Sequence, residues 1–501
     1  MVALAALAAG CRASPYACST HAQCVRGDER GRCEPTRRCS FPDAACPYAR
    51  RYPELGADDL DGTCTGPWVV TVSSSGASDY PEFAAQSGGA ALIGALVGAN
   101  ARIDGELVAS TGKVSSVVAR LGATGLVEAT LAFPAFVIAG GSGAPDGATS
   151  SALFVGLSET SGGKLFDGQT KEVTSFASNT FPLAVVRTEA HAVVSGCAPP
   201  DAPLYGTPHP GSAPASGFVA SLCLDTGCFA PADVWAPCKD ARATEPLCTC
   251  RSVSASSDAR IMAAGCNAFD RGDCFTDPLP LPLPRGRVWL RSGDAAWSHA
   301  FDASSYVHAV SLVANHDPDV VALISAAGTL RLPPGLEGAH CPRCATCSAA
   351  SCTLTMPSAG AVLARLLVTR DGVRTVWAQL LEGSVVVVGN ALPQGSGAVY
   401  VAGNYCGTLS LDGAVLDGPS CEPLAYSSFV AAVDVDSGNV RAARSLAPQG
   451  ALYIQALGAL GGEHLVAGAT FQGAFTVGET PVSSPSSVDS VFVQLRQDTL
   501  Q

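Results

Sequence analysis

Charge and aromatic residues are scarce in this chain, and long apolar runs are missing. Charged residues make up 15% of its 501 positions and aromatics 6%, against 47% hydrophobic. A disordered chain is excluded by that balance. No uninterrupted apolar stretch reaches the roughly 18–20 residues that a spanning helix requires. The longest, residues 90–99, stops at Asn100, Arg102 and Asp104 and reads as a buried strand.

An excess of positive charge is also lacking. Thirty Lys and Arg stand against 43 Asp and Glu, a net charge of −13, so nucleic acid is not an expected partner. The one basic stretch, residues 12–51, sets eight arginines against Asp28, Glu29, Glu34 and Asp43. It reads as a solvated surface, with contact to anionic lipid headgroups as the alternative.

Catalytic signatures are equally sparse. No Gly-x-Ser-x-Gly elbow occurs, since Gly140-Gly141-Ser142-Gly143 runs on into Ala144, and no His-Glu-x-x-His is present. The eight histidines are scattered singly. Asp434-Val435-Asp436-Ser437-Gly438-Asn439 alternates carboxylates as a calcium loop does, but it lacks the later bidentate Glu and reads as a β-turn. The sequence implies no cofactor.

What the chain does have is cysteine. Twenty-one are present, a number that points to an oxidising compartment and a disulfide framework. The odd count sets one apart, and Cys11 is the candidate. Residues 1–10, MVALAALAAG, form an apolar stretch ending in small residues directly before it, as a signal peptide does, although no basic residue precedes them. Ala8-Ala9-Gly10-Cys11 resembles a bacterial lipobox, with Ala8 where that family usually has Leu. The resemblance implies lipid on the Cys11 thiol, attachment to a membrane, and a place at the outer membrane or cell surface.

Cys18, Cys24, Cys33, Cys39, Cys46 and Cys64 crowd into residues 11–65, a segment too short for a sufficient apolar core, where disulfides substitute for one. Fifteen pairings of six cysteines are open. The run Cys39-Ser40-Phe41-Pro42-Asp43, with Cys46-Pro47, Arg51-Tyr52 and Leu60-Asp61-Gly62-Thr63-Cys64, resembles the cysteine-rich head of myxobacteria-type lipoproteins, in which it sits between a lipid anchor and a variable domain. That family brings no activity with it.

From Trp68 onward one pattern recurs: a strand ending in a small residue and Gly, a loop, a Phe-Val-Ala-type strand, a turn Gly, and often a Trp. Seven copies can be located, with strands at 91–94, 136–140, 192–196, 261–265, 320–324, 399–403 and 465–468. The copy around Val320 is the poorest. Such repeats predict an all-β fold, a seven-bladed β-propeller over residues 66–497, and resemble the bacterial β-propeller-repeat family. A pair of β-sandwiches is the alternative architecture. The turn glycines are expected between one blade and the next, and Trp68, Trp297 and Trp377 are expected to fill the wedges between blades.

The remaining cysteines read as staples of the repeats: Cys266 with Cys274, Cys406 with Cys421, and Cys197, Cys223, Cys228, Cys238, Cys248 and Cys250 as an even set. Cys341, Cys344, Cys347 and Cys352, beside His340, have CxxCxxC spacing. They read as two local disulfides, with a metal site as the alternative. Residues 278–284, where Pro alternates with Leu, form a stiff spacer. The functional expectation is a non-enzymatic surface scaffold whose long loops bind an unidentified protein or glycan. A propeller enzyme with a central-channel active site is the alternative.

Overall fold

Short runs of valine, alanine and leucine set between glycines make strands, and strands make up most of the described residues. Among the described residues the only helical element is the 3-10 turn His21–Gln23. The computed structural model describes most of residues 16–500. The longer segments outside it are 142–152, 199–215, 225–230, 236–246 and 270–284, with shorter ones between. The signal stretch, Cys11, Cys228, Cys238, Cys274 and the Pro-Leu spacer fall outside the described residues.

Residues 16–64 form a small head of short strands stapled by Cys18–Cys33, Cys24–Cys39 and Cys46–Cys64. Its core is mostly sulfur around Phe41. At roughly 2–4 kcal/mol each, such bridges supply what so small a core cannot.

Beyond the head, the strands pair into antiparallel meanders. Four sheets are separate and four-stranded. A ten-stranded sheet runs from Ser305–Leu312 to Val440–Leu446, and a six-stranded one joins the two ends of the chain. In the latter, Val69–Ser75 pairs with the C-terminal strand Asp489–Arg496, so the N-terminal strand completes the last sheet. The innermost strands are Tyr80–Ser87, Phe136–Gly141, Phe181–Arg187, Leu247–Ala255, Ser305–Leu312, the distal half of Gly372–Ala391, and Ala451–Leu460. Each packs against the next in an unbroken ring. The fold is an all-β propeller.

The cores lie between sheets rather than within them. Val321, Leu323, Leu363 and Trp377 of one meander meet Val399, Val401, Phe429 and Ala431 of the next. Ala398, Tyr400, Val430 and Ala432 in turn meet Ile454, Leu465, Ala467 and Val491. The second and third strands are therefore covered on both faces, which is why they read as continuous apolar runs without alternation.

The turn glycines are not between blades. Gly125, Gly293 and Gly438 join the third and fourth strands of one meander. The repeat read from the sequence is out of step with the sheets because the first strand has been given to the last sheet. Trp68 and Trp377 are buried against the turns of neighbouring sheets, beside Gly125 and Gly438, and Trp377 Nε1 donates to the Val435 carbonyl at 2.6 Å. Trp297 is only partly buried. The copy at 136–140 is displaced by one strand: Phe136–Gly141 is an inner strand, and Leu153–Ser158 is the second.

Two cysteine expectations need correction. Cys266 pairs with Cys250, not Cys274, because the antiparallel register sets Cys250 directly opposite Cys266, with Cα atoms 3.9 Å apart. Cys223 carries a free thiol, so it is no bridge partner, and the odd count no longer singles out Cys11. Cys406–Cys421, Cys341–Cys344 and Cys347–Cys352 are bridged, and Cys197 is also disulfide-bonded.

Candidate functional site

Every inner strand carries a β-bulge at the same level. The register slips at Glu82, Ile138, Leu183, Arg251, His308, Val388 and Gln455, each left without a partner on the second strand. A bulge adds one unpaired residue and re-aims its side chain. Repeated around a ring, it makes a belt of residues where the inner strands converge.

The glycine of the sequence motif explains how the bulge fits. Gly94, Gly156, Gly196, Gly265, Gly403 and Gly468 each pair with a residue flanking a bulge. Several of these contacts leave no room for a side chain: a Cβ on Gly196 would lie 2.1 Å from the Phe181 carbonyl oxygen, and one on Gly94 2.2 Å from the Phe83 ring. These glycines stand within strands, not at strand ends, and serve close approach. The repeat around Val320 is the exception, with Leu323 and Ile324 in place of Gly.

Asparagines brace two of the bulges from the neighbouring sheet. Val307 N–H donates to Asn267 Oδ1 at 2.7 Å, and Asn267 Nδ2 returns a bond to the Val307 carbonyl at 3.0 Å. Asn404 does the same for Ile454, at 2.8 and 2.9 Å. Val307 and Ile454 immediately precede the bulged His308 and Gln455.

The polar members of the belt fall into two groups. Arg251 hydrogen-bonds Tyr306, whose ring lies 4.7 Å from that of His308. His308 Nε2 is 2.7 Å from Ser325 Oγ. Burial pulls the imidazole down to about 3, so His308 is neutral at physiological pH. On the adjoining first and last sheets lie Glu82 and Gln455. Burial pushes the Glu82 carboxyl up to about 7, and Gln455 Oε1 is buried without a hydrogen bond. The belt thus offers a cation with a phenol and neutral imidazole, and elsewhere a carboxyl that changes charge near neutrality.

The Glu82 shift carries a stability signature. A carboxyl raised from 4.5 to about 7 in the folded state favours folding below pH 4.5, and that advantage disappears as pH rises through 7. Glu82→Gln is therefore expected to flatten the pH dependence of stability between pH 5 and 8. At pH 8 it should gain roughly 1–2 kcal/mol, allowing for partial solvent access. Urea denaturation of both proteins at pH 5 and 8 measures this, and equal pH slopes would refute it.

A cleft of about 460 Å³ lies between head and propeller over His21, Arg32, Thr71, Asp104 and Ser483. Its charged groups are paired with one another, although Arg32 Nε is buried without a hydrogen bond. Arg32 donates to Asp104 Oδ2 at 3.0 Å, to the Gly125 carbonyl at 2.6 Å, and to the Val69 carbonyl. His21 Nε2 is 3.1 Å from Asp104 Oδ2, and Thr71 N–H donates to Oδ1 at 2.8 Å. Burial alone would raise the Asp104 carboxyl, but Arg32 and His21 hold it below its usual value. This cluster is a clasp across the seam where the chain ends meet.

The calcium-like loop is closed on itself. Asp434 Oδ1 accepts from the Asp436 and Ser437 amides at 3.0 and 2.7 Å, and Oδ2 accepts from Arg441. The belt was missed in the sequence because it lies one strand ahead of the repeating motif. Single polar residues inside apolar runs (Glu82, Arg251, His308, Gln455) are its only trace there.

No family model and no curated protein matches the chain. Solved structures do. The β-propeller domain of the Trilobed protease from Pyrococcus furiosus covers 85% of this chain and 97% of its own, at 9% identity and a TM-score of 0.40. The Dos1 propeller covers 85% and 94%, at 8% identity and 0.43. Hydrazine synthase from Kuenenia stuttgartiensis covers 77% and 92%, at 13% identity and 0.41. Nothing about activity follows from any of them, and the architecture rests on the strand pairing described above.

Proposed function

We propose that this chain is an exported lipoprotein whose seven-bladed propeller is a non-enzymatic binding scaffold. Lipid on Cys11 would hold it at the outer membrane or cell surface, with the head as a stapled spacer. Disulfides in both head and propeller support an oxidising compartment. The ligand is an extracellular or envelope protein or glycan, engaged by the face that carries the connections between second and third strands.

One observation carries this reading. Two of those connections are hairpins with Asp-Gly turns, Asp104-Gly105 and Asp412-Gly413, all four residues at positive φ as a type I′ turn requires. Just past each turn stands an exposed aliphatic side chain, Leu107 at 54% and Val415 at 59% exposure. Val415 lies on the face from which the second-to-third-strand connections emerge, whereas the hairpin at Asp104 folds back along Val69–Ser75 and is held there by the head. The long segments 199–215 and 270–284 fill the same connection in other blades but fall outside the described residues.

A screen of the purified mature chain against glycans and envelope proteins tests the proposal. Val415→Glu is expected to weaken the captured ligand on the order of tenfold or more while leaving thermal stability unchanged. Undiminished binding by this variant would remove this face from consideration. The competing reading, channel chemistry at Glu82, Arg251 and His308, predicts a turnover that Glu82→Gln abolishes.

A further inference from the structure

We propose that Cys341, Cys344, Cys347 and Cys352 form a thiol–disulfide exchange relay. They lie at an arm made where Asp319–Leu332 and Cys352–Thr369 run on past their blade, with the short strand Cys344–Cys347 paired to Cys352–Thr369 and Gly335–His340 running parallel beside Gly372–Ala391. The bridges are Cys341–Cys344 and Cys347–Cys352. They are not independent. Cys344 Sγ lies 4.0 Å from Cys352 Sγ, close to sulfur–sulfur contact, and the sulfurs of Cys341, Cys344 and Cys352 all lie within 4.8 Å of one another.

Access completes the arrangement. Cys341, Cys344 and Cys347 are partly exposed, whereas Cys352 is buried at 1%. A thiolate from solvent can reach the outer bridge, and the buried sulfur is reached from Cys344. In the head the sulfurs of Cys18, Cys24 and Cys33 also lie within 4.8 Å, but there only Cys33 is partly exposed while Cys18 and Cys24 are buried. Cys250–Cys266 is fully buried as well.

The exchange runs in three balanced steps. A small monothiol, as thiolate, attacks Cys341 Sγ, forms a mixed disulfide there and expels the Cys344 thiolate. That thiolate attacks Cys352 Sγ, forms Cys344–Cys352 and expels Cys347 as thiolate. A second monothiol resolves the mixed disulfide, leaving Cys341 reduced and the monothiol oxidised as its dimer. Overall, two monothiols lose two electrons, and two protein disulfides become one disulfide and two thiols. The arm already slips in register here, with Cys344 opposite Leu354 but Thr346 opposite Thr353, so the bond can move without breaking a regular ladder.

The test uses the whole chain, alkylated under non-reducing conditions and mapped by mass spectrometry. Cys341→Ser leaves Cys344 without its partner; the label is expected on Cys347, with a Cys344–Cys352 bridge. Cys344→Ser should place the label on Cys341 and leave Cys347–Cys352 intact, with Cys347 labelled on the order of tenfold more slowly than in Cys341→Ser. Wild-type protein titrated with a small monothiol should show Cys341 and Cys347 as the first labelled pair, a result that needs no variant to fold. Label on Cys341 and Cys344 with Cys347–Cys352 retained would overturn the relay, as would stoichiometric zinc on free thiols in the untreated protein.

Discussion

Gly458→Ala is expected to cost roughly 3 kcal/mol or more and to prevent the ring from closing in its native form. A Cβ at this position would lie 2.2 Å from the Ala84 carbonyl oxygen and 2.5 Å from its carbon. Both belong to the backbone of the neighbouring inner strand, so no side-chain rotation relieves the clash. Gly458 is on the last inner strand and Ala84 on the first, which makes this contact the seam of the ring. Gly413→Ala is the control. It has open space around it and a φ of +88°, so its cost is backbone strain alone, about 1 kcal/mol. Chemical denaturation of the two variants separates close approach from conformational freedom, and equal losses would show that the seam tolerates a side chain.

Arg32→Met is the second large effect. Removing the guanidinium leaves the Gly125 and Val69 carbonyls without a donor and Asp104 buried with His21 and the Thr71 amide. Breaking a buried pair from one side typically costs 3–5 kcal/mol. Because Arg32 belongs to the head while Val69 begins the closing strand, the loss should appear as release of the head as well as a lower unfolding midpoint. Limited proteolysis between residues 55 and 68, faster in the variant, reads the first, and denaturation reads the second. A variant that unfolds like the parent and resists protease equally would mean that the clasp is not what joins head to propeller.

Both experiments act at places that reading the chain in order could not reveal. Strands at 91–94, 192–196, 261–265, 399–403 and 465–468 were legible because residues covered on both faces must all be apolar, and that signal is local. The glycine ending each was legible too, but its purpose was not. It admits a bulge on a strand that precedes it by a loop of variable length, and only pairing brings the two together. The same limit explains the Cys266 error. Cys274 is its near neighbour in sequence, whereas Cys250 is its neighbour across the ladder.

Cysteine number, charge balance and the spacing of apolar runs were enough to determine an all-β repeat chain with a stapled head, because composition and strand periodicity do not depend on which strands meet. The tertiary structure alone decided that Val69–Ser75 completes the last sheet, that Cys223 stays a thiol, and that Glu82, Arg251, His308 and Gln455 share one belt. Each of these depends on register between strands far apart in the chain. Register is set by the packing of whole sheets against one another, which no single segment encodes.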